Sequence, residues 1–120
     1  MDESPPQSSP DCLAAYHEGN ACFATGDVEA AISCYRHSVD LEPGFFDGWH
    51  ALGMALLKNG EVKEAIGCGL QATTLSPNDL LAWTSLSQMY VQDGQIAQAE
   101  DAKGRARILS LGGKIVPENT

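Results

Sequence analysis

Apolar positions in this chain fall into alternating sets, each with the spacing of one helix face. Trp49, Leu52, Gly53 and Leu56 recur at three, four and seven residues, which places them along one stripe of an α-helix. Val62, Ala65, Ile66, Ala72 and Leu75 make a second stripe, and the polar Asn59-Gly60-Glu61 between them predicts a turn. A glycine there can take the positive φ that ends one helix. The acid after it can accept hydrogen bonds from the N–H groups that open the next. The unit is therefore a helical hairpin, in which the small residues Gly53 and Ala65 let its two helices approach closely.

The same hairpin recurs on both sides of itself with a period of 34 residues. That slide superposes Gly26, Gly60 and Gly94, then Ala31, Ala65 and Ala99, then Val28, Val62 and Ile96, and then Leu41, Leu75 and Leu109. It also pairs Trp49 with Trp83, Leu52 with Leu86, Gly19 with Gly53, and Pro43 with Pro77. Units of this length bury their apolar faces only against their neighbours, so the period predicts a one-dimensional stack. The expected divisions are a disordered leader over 1–11, repeats over about 12–45, 46–79 and 80–111, and a tail over 112–120. Asp11 and Asn78 are the expected caps of the first helices of the outer repeats. Pro43 and Pro77 separate the hairpins, because the residue before a proline resists helical geometry. Gly112-Gly113 is the expected stop.

In the middle unit Trp49, Leu52, Gly53, Leu56, Gly60, Ala65, Ala72 and Pro77 stand where the tetratricopeptide repeat family has its aromatic, leucine, glycine, second large residue, turn glycine, two alanines and closing proline. The chain resembles that family here, again at Trp83, Leu86, Tyr90, Gly94, Ala99 and Ala106, and more sparsely at Gly19, Gly26, Ala31, Tyr35 and Pro43. The resemblance covers about residues 12–111. It implies an all-α protein, an α-solenoid of three helix-turn-helix hairpins wound into a right-handed superhelix, with a concave groove lined by the first helix of each hairpin.

The resemblance also places residues in that groove. They are Leu13, Tyr16, Asn20 and Phe23, then Asp47, His50, Met54, Leu57 and Lys58, then Leu81, Thr84, Gln88, Val91 and Gln92. The candidate partner-binding set is Tyr16, Asn20, Asp47, His50, Met54, Lys58, Thr84, Gln88 and Gln92, with Asn20, His50 and Gln88 foremost. Phe23, Leu57 and Leu81 serve equally well as packing between repeats. The implied function is capture of a protein or peptide segment by an adaptor without catalytic activity; the alternative is a structural subunit that self-associates end to end through its terminal helices. Members that hold the acidic C-terminal tails of heat-shock chaperones carry a clamp of basic and asparagine residues along the groove. The matching places here hold Tyr16, Asn20, Ala51, Leu81 and Ser85. Only Asn20 survives, so an acidic tail finds no charge-paired donor.

Composition narrows the function further. The 120 residues make one domain, and no apolar run approaches the roughly 20 residues that span a bilayer. Met1 to Pro10 is polar and proline-rich and lacks the basic and apolar regions of a secretory signal. A cytoplasmic location follows, with the four cysteines reduced. Cys34 and Cys68 occupy matching places on neighbouring helices about 10 Å apart, beyond disulfide reach, and Cys22 reads as a small core residue. A net charge of −9 disfavours nucleic acid.

Several apparent motifs dissolve in context. Gly67-Cys68-Gly69-Leu70-Gln71-Ala72 imitates a dinucleotide fingerprint but lies inside a predicted helix rather than after a strand. Its glycines are expected to permit close packing, with Gly69 vacating the place of Tyr35 for Trp83. Cys34 with His37, and His17 with Cys12 and Cys22, lack the paired spacing of a zinc site, and no nucleophile elbow accompanies the serines. Neither an enzyme, a cofactor nor a metal is indicated. Charge is uneven along the chain: over residues 1–50, Asp2, Glu3, Asp11, Glu18, Asp27, Glu29, Asp40, Glu42 and Asp47 face Arg36 alone, whereas Lys103, Arg105, Arg107 and Lys114 crowd the end. The expected state is a monomer, or one that associates weakly head to tail. No residues remain to form a helix over the last hairpin, and its charged second helix is expected to cap itself, with Lys103 where the first repeat has Tyr35.

Overall fold

The computed structural model describes residues 9–117; the leader positions before Ser9 lie outside them. Among the described residues the chain forms six helices and no strand: α1 Pro10–Ala24, α2 Val28–Leu41, α3 Phe46–Lys58, α4 Val62–Leu75, α5 Leu80–Gln92 and α6 Ile96–Ser110. They pair as three antiparallel hairpins stacked in chain order, each touching mainly its own partner and the next hairpin. The stack measures 40 × 39 × 19 Å.

The hairpin turns follow the expected chemistry at their glycines. Gly26, Gly60 and Gly94 have φ of +88°, +82° and +77°, left-handed conformations that a side chain disfavours. The acids beside them behave unequally. Asp27 caps α2 by accepting from the Ala30 N–H at 3.2 Å, whereas Glu61 instead accepts from the Asn59 side-chain amide at 3.0 Å.

Two caps fall elsewhere than expected. Ser9 rather than Asp11 caps α1, its hydroxyl accepting from the Cys12 N–H at 3.0 Å, so Pro10 becomes the first helical residue. Proline suits that position because its missing N–H has no partner there anyway. Asp79 rather than Asn78 caps α5, accepting from the Ala82 N–H at 2.9 Å. Asn78 is occupied otherwise. Its amide donates to the Val116 carbonyl at 2.8 Å and its oxygen accepts from the Ile115 and Val116 N–H groups at 2.9 and 3.0 Å, which folds the segment after Gly112 back onto the α4–α5 loop.

Glycines let side chains pack closely both within and between hairpins. A Cβ on Gly19 would lie 2.6 Å from the Tyr35 ring, and one on Gly53 would lie 2.9 Å from Met89 and 3.3 Å from Cys68. Gly69, at the place of Tyr35, makes room for Met89 and Leu86, at 2.8 and 3.0 Å from such a Cβ, and not for Trp83. Met89 thus enters from α5 the space that a tyrosine in α4 would have filled. Gly67 faces open space and serves no close contact. Both tryptophans lie at the hairpin junctions: the Trp49 indole donates to the Pro43 carbonyl and the Trp83 indole to the Pro77 carbonyl, each at 2.7 Å. The repeated Trp and Pro columns are therefore the two ends of one repeated bond.

The last helix ends the stack by changing chemistry at the columns that bury the others. Ile32 and Ile66 are buried, and Glu100 follows them exposed; Tyr35 and Gly69 are buried, and Lys103 follows; Val39 and Thr73 are buried, and Arg107 follows. A face that carries Glu100, Lys103 and Arg107 has no apolar surface at those columns to bury. Such polar outer faces are what terminal repeats of a solenoid need for solubility.

Candidate partner-binding surface

α3 packs directly on α5, and His50 and Ser85 bridge the two through a 2.9 Å hydrogen bond between Nε2 and Oγ. On the other side α2 and α4 reach each other through the Arg36–Glu64 ion pair. The first helices of the three hairpins, α1, α3 and α5, carry the candidate residues.

The candidate residues divide by what already holds them. Tyr16 is half-buried, its ring centroid 5.2 Å from Phe45 in an edge-to-face contact and 6.0 Å from Tyr35. Asn20 is exposed, but its oxygen accepts from the Tyr35 hydroxyl at 2.7 Å. Tyr35 is only 2% exposed, and burial pushes its phenol up to about 12; Asn20 supplies the partner that a buried hydroxyl requires. His50 is half-buried, stacked on Phe46 at 6.0 Å as well as bonded to Ser85. The Thr84 hydroxyl donates to the Leu80 carbonyl at 2.9 Å within its own helix. Asp47, Lys58, Gln88 and Gln92 are exposed, and among the described residues their side chains make no hydrogen bond or ion pair.

The apolar members separate similarly. Leu57 is buried at 9% and Phe23 is half-buried against the core, whereas Leu81 and Val91 are 59% and 54% exposed. Met54 is half-buried against the core. Leu57 and Val91 occupy the same place one repeat apart; a further hairpin follows that of Leu57, and among the described residues none follows that of Val91.

Burial lowers the pKa of His50 below its ordinary 6.5, with Asp79 and Asp47 opposing in part. A histidine whose folded pKa is depressed contributes stability that is complete above its unfolded pKa and is lost as pH falls through the folded value. Unfolding free energy is therefore expected to decline below pH 6.5. Substitution His50→Gln should flatten that decline, as read by urea titrations between pH 7.5 and pH 5, roughly the range in which histidine is the titrating side chain. An unchanged slope in the variant would remove His50 from the account.

The Cys34 and Cys68 thiols are unsuited to nucleophilic work. Burial, followed by the nearby Glu18 carboxylate, raises the Cys34 pKa, and the Cys22 thiol beside it adds to the effect. Cys68 is pushed up to about 11, chiefly by burial. Reactive cysteines need the opposite shift. Cys34 and Cys22, both half-buried, are neighbours across the first hairpin. Among the described residues no group of three or more His, Cys, Asp or Glu side chains converges to hold a metal ion, and no helix is long and apolar enough to cross a membrane.

Three helical hairpins stacked in chain order define an α-solenoid repeat protein. Family models described as TPR repeat and tetratricopeptide repeat match residues 19–60 and 46–79. The chain belongs to the tetratricopeptide repeat family. No curated protein sequence matches it. Among solved structures, the second TPR of Spaghetti (RPAP3) bound to the HSP90 peptide SRMEEVD is 22% identical, with a TM-score of 0.80 over 83% of this chain and 93% of that one. The TPR2B domain of yeast Sti1 in its pHsp70 complex is 24% identical, with a TM-score of 0.82 over 85% and 82%. The Yersinia enterocolitica type III secretion translocator chaperone SycD, in an alternative dimer, is 18% identical, with a TM-score of 0.80 over 88% and 80%. At these identities the likeness is one of fold.

Proposed function

We propose that this chain is a non-catalytic, cytoplasmic adaptor that holds an extended protein segment along the inner face formed by α1, α3 and α5. One observation carries the reading. Lys58, Gln88 and Gln92 stand exposed with no described side-chain bond, interleaved with the open apolar side chains of Leu81 and Val91. Amide side chains pair both donor and acceptor with a main chain, and the apolar positions between them take side chains. RPAP3 and Sti1, which share the fold, are described with an HSP90 peptide and with pHsp70.

The segment differs from an acidic tail. At the clamp places this chain has Tyr16, Ala51, Leu81 and Ser85 beside Asn20, and Ser85 is committed to His50. A carboxylate gains no cation there and meets a chain of net charge −9. Selection from a random displayed-peptide library is expected to enrich neutral, apolar-containing sequences, while the peptide SRMEEVD fails to bind. Tight binding of SRMEEVD, or enrichment of acidic termini, would overturn this reading.

Against end-to-end assembly stand Glu100, Lys103 and Arg107 at the three columns where a further repeat would bury apolar side chains. Sedimentation is expected to give a monomer at every protein concentration in low and high salt. Concentration-dependent association that salt weakens, and that Lys103→Glu/Arg107→Glu removes, would instead support the structural subunit.

A further inference from the structure

Along the outer side the stack contains the same notch twice, once between α2 and α4 and once between α4 and α6. Across the first, Arg36 and Glu64 form an ion pair. A shift of one repeat replaces them with Leu70 and Gln98, which cannot pair. The second notch is a cavity of about 530 Å³ with Leu70, Trp83, Leu86 and Tyr90 among its lining. Where the first notch has Lys63, the second has only Ala97.

The second notch also has something the first lacks. Arg105, at the place of Gln71, donates from Nε to Asp101 at 3.1 Å, and its guanidinium carbon lies 5.1 Å from the centre of the Trp83 ring. The ring below and the acid beside it fix the guanidinium at the edge of the cavity. Its terminal nitrogens make no described hydrogen bond. A guanidinium presents five donors in a planar fork, so donors remain for an incoming acceptor.

We propose that the second notch binds an aromatic residue of a partner protein, its ring on Leu86, Tyr90 and Leu70 and its main-chain carbonyl accepting from the terminal nitrogens of Arg105. The volume lies within the roughly 300–1,000 Å³ of ligand pockets, which are lined in this way by apolar and aromatic groups with few polar ones. The choice of a carbonyl follows from charge. Asp101 already neutralises Arg105, so a second carboxylate would add repulsion where an amide oxygen adds none. Aromatic rings are favoured because edge-to-face contacts with Trp83 and Tyr90 add to simple burial. This site is on the opposite side from the inner face and stands or falls separately from it.

The test is a heteronuclear NMR titration of the full chain with N-acetyl-phenylalaninamide, which carries the ring and an uncharged carbonyl. Saturable shifts are expected at the Trp83 indole N–H and the Arg105 Nε–H, with the Trp49 indole, beside the bridged notch, as the resonance that stays still. Substitution Leu70→Arg/Gln98→Glu, which installs the pair used in the first notch, should abolish the shifts while leaving the helical circular dichroism unchanged. Ala97→Phe, at an exposed position on the rim, should do so independently. Arg105→Gln should weaken binding by about tenfold. Absence of saturation, equal movement at Trp49, or persistence of the shifts in both filled variants would overturn the proposal. Tighter binding of N-acetyl-phenylalanine, the free acid, would overturn it in favour of a small aromatic acid.

Discussion

Tyr35→Ala is expected to lower the unfolding free energy by about 3–5 kcal/mol, the range for removing a large aromatic from a packed core. The ring is 2% exposed, rests on Gly19, and joins Tyr16 and through it Phe45 at the first hairpin junction. No neighbouring helix can close over the gap, because the space at Gly19 exists only to admit the ring. Tyr35→Phe keeps the ring and deletes only the donor to Asn20, so it should cost about 1 kcal/mol. Folded domains are stable by only about 5–15 kcal/mol, and a three-repeat stack has one neighbour at most on each side of any hairpin. The alanine variant should therefore lose a large share of that stability. Urea titration monitored at 222 nm measures both variants; a loss near 1 kcal/mol for alanine would mean that the junction repacks.

Replacing Lys58, Gln88 and Gln92 together with alanine is expected to lower affinity for the best displayed peptide by about a hundredfold. Each removed hydrogen bond is worth about 0.5–1.5 kcal/mol, and three at the middle of that range amount to about 3 kcal/mol. These three are better probes than Asn20 or His50. Loss of Asn20 strands the buried Tyr35 hydroxyl, and loss of His50 strands the buried Ser85 hydroxyl, so either change confounds binding with folding. Fluorescence anisotropy with a labelled peptide gives the affinity, and circular dichroism reports the fold. Unaltered affinity in a variant of unaltered helicity would move the binding surface off the inner face.

The repeat period made the six helices and their turns legible in the sequence. Helical spacing and turn glycine act within a few residues of chain, so Gly26, Gly60 and Gly94 could be assigned their conformation before any contact was known. Gln88 and Gln92 are exposed, and among the described residues their side chains make no hydrogen bond or ion pair. Caps were read less well. Asp11 and Asn78 have the right chemistry for the work that Ser9 and Asp79 perform, and for Asn78 the deciding partner is the backbone of Ile115 and Val116, more than thirty residues away.

Tertiary structure alone decided which polar residues are committed. Tyr35 with Asn20 and His50 with Ser85 join residues that no local pattern relates, and a hydroxyl buried by packing must take whatever acceptor the neighbouring helix offers. It also decided that Met89, not Trp83, fills the space above Gly69, since that depends on the angle at which α5 crosses α4. The two outer notches show the same division. Their sequences differ at Arg36/Leu70 and Glu64/Gln98 in plain view, yet only the geometry of packed helices converts a missing ion pair into a cavity.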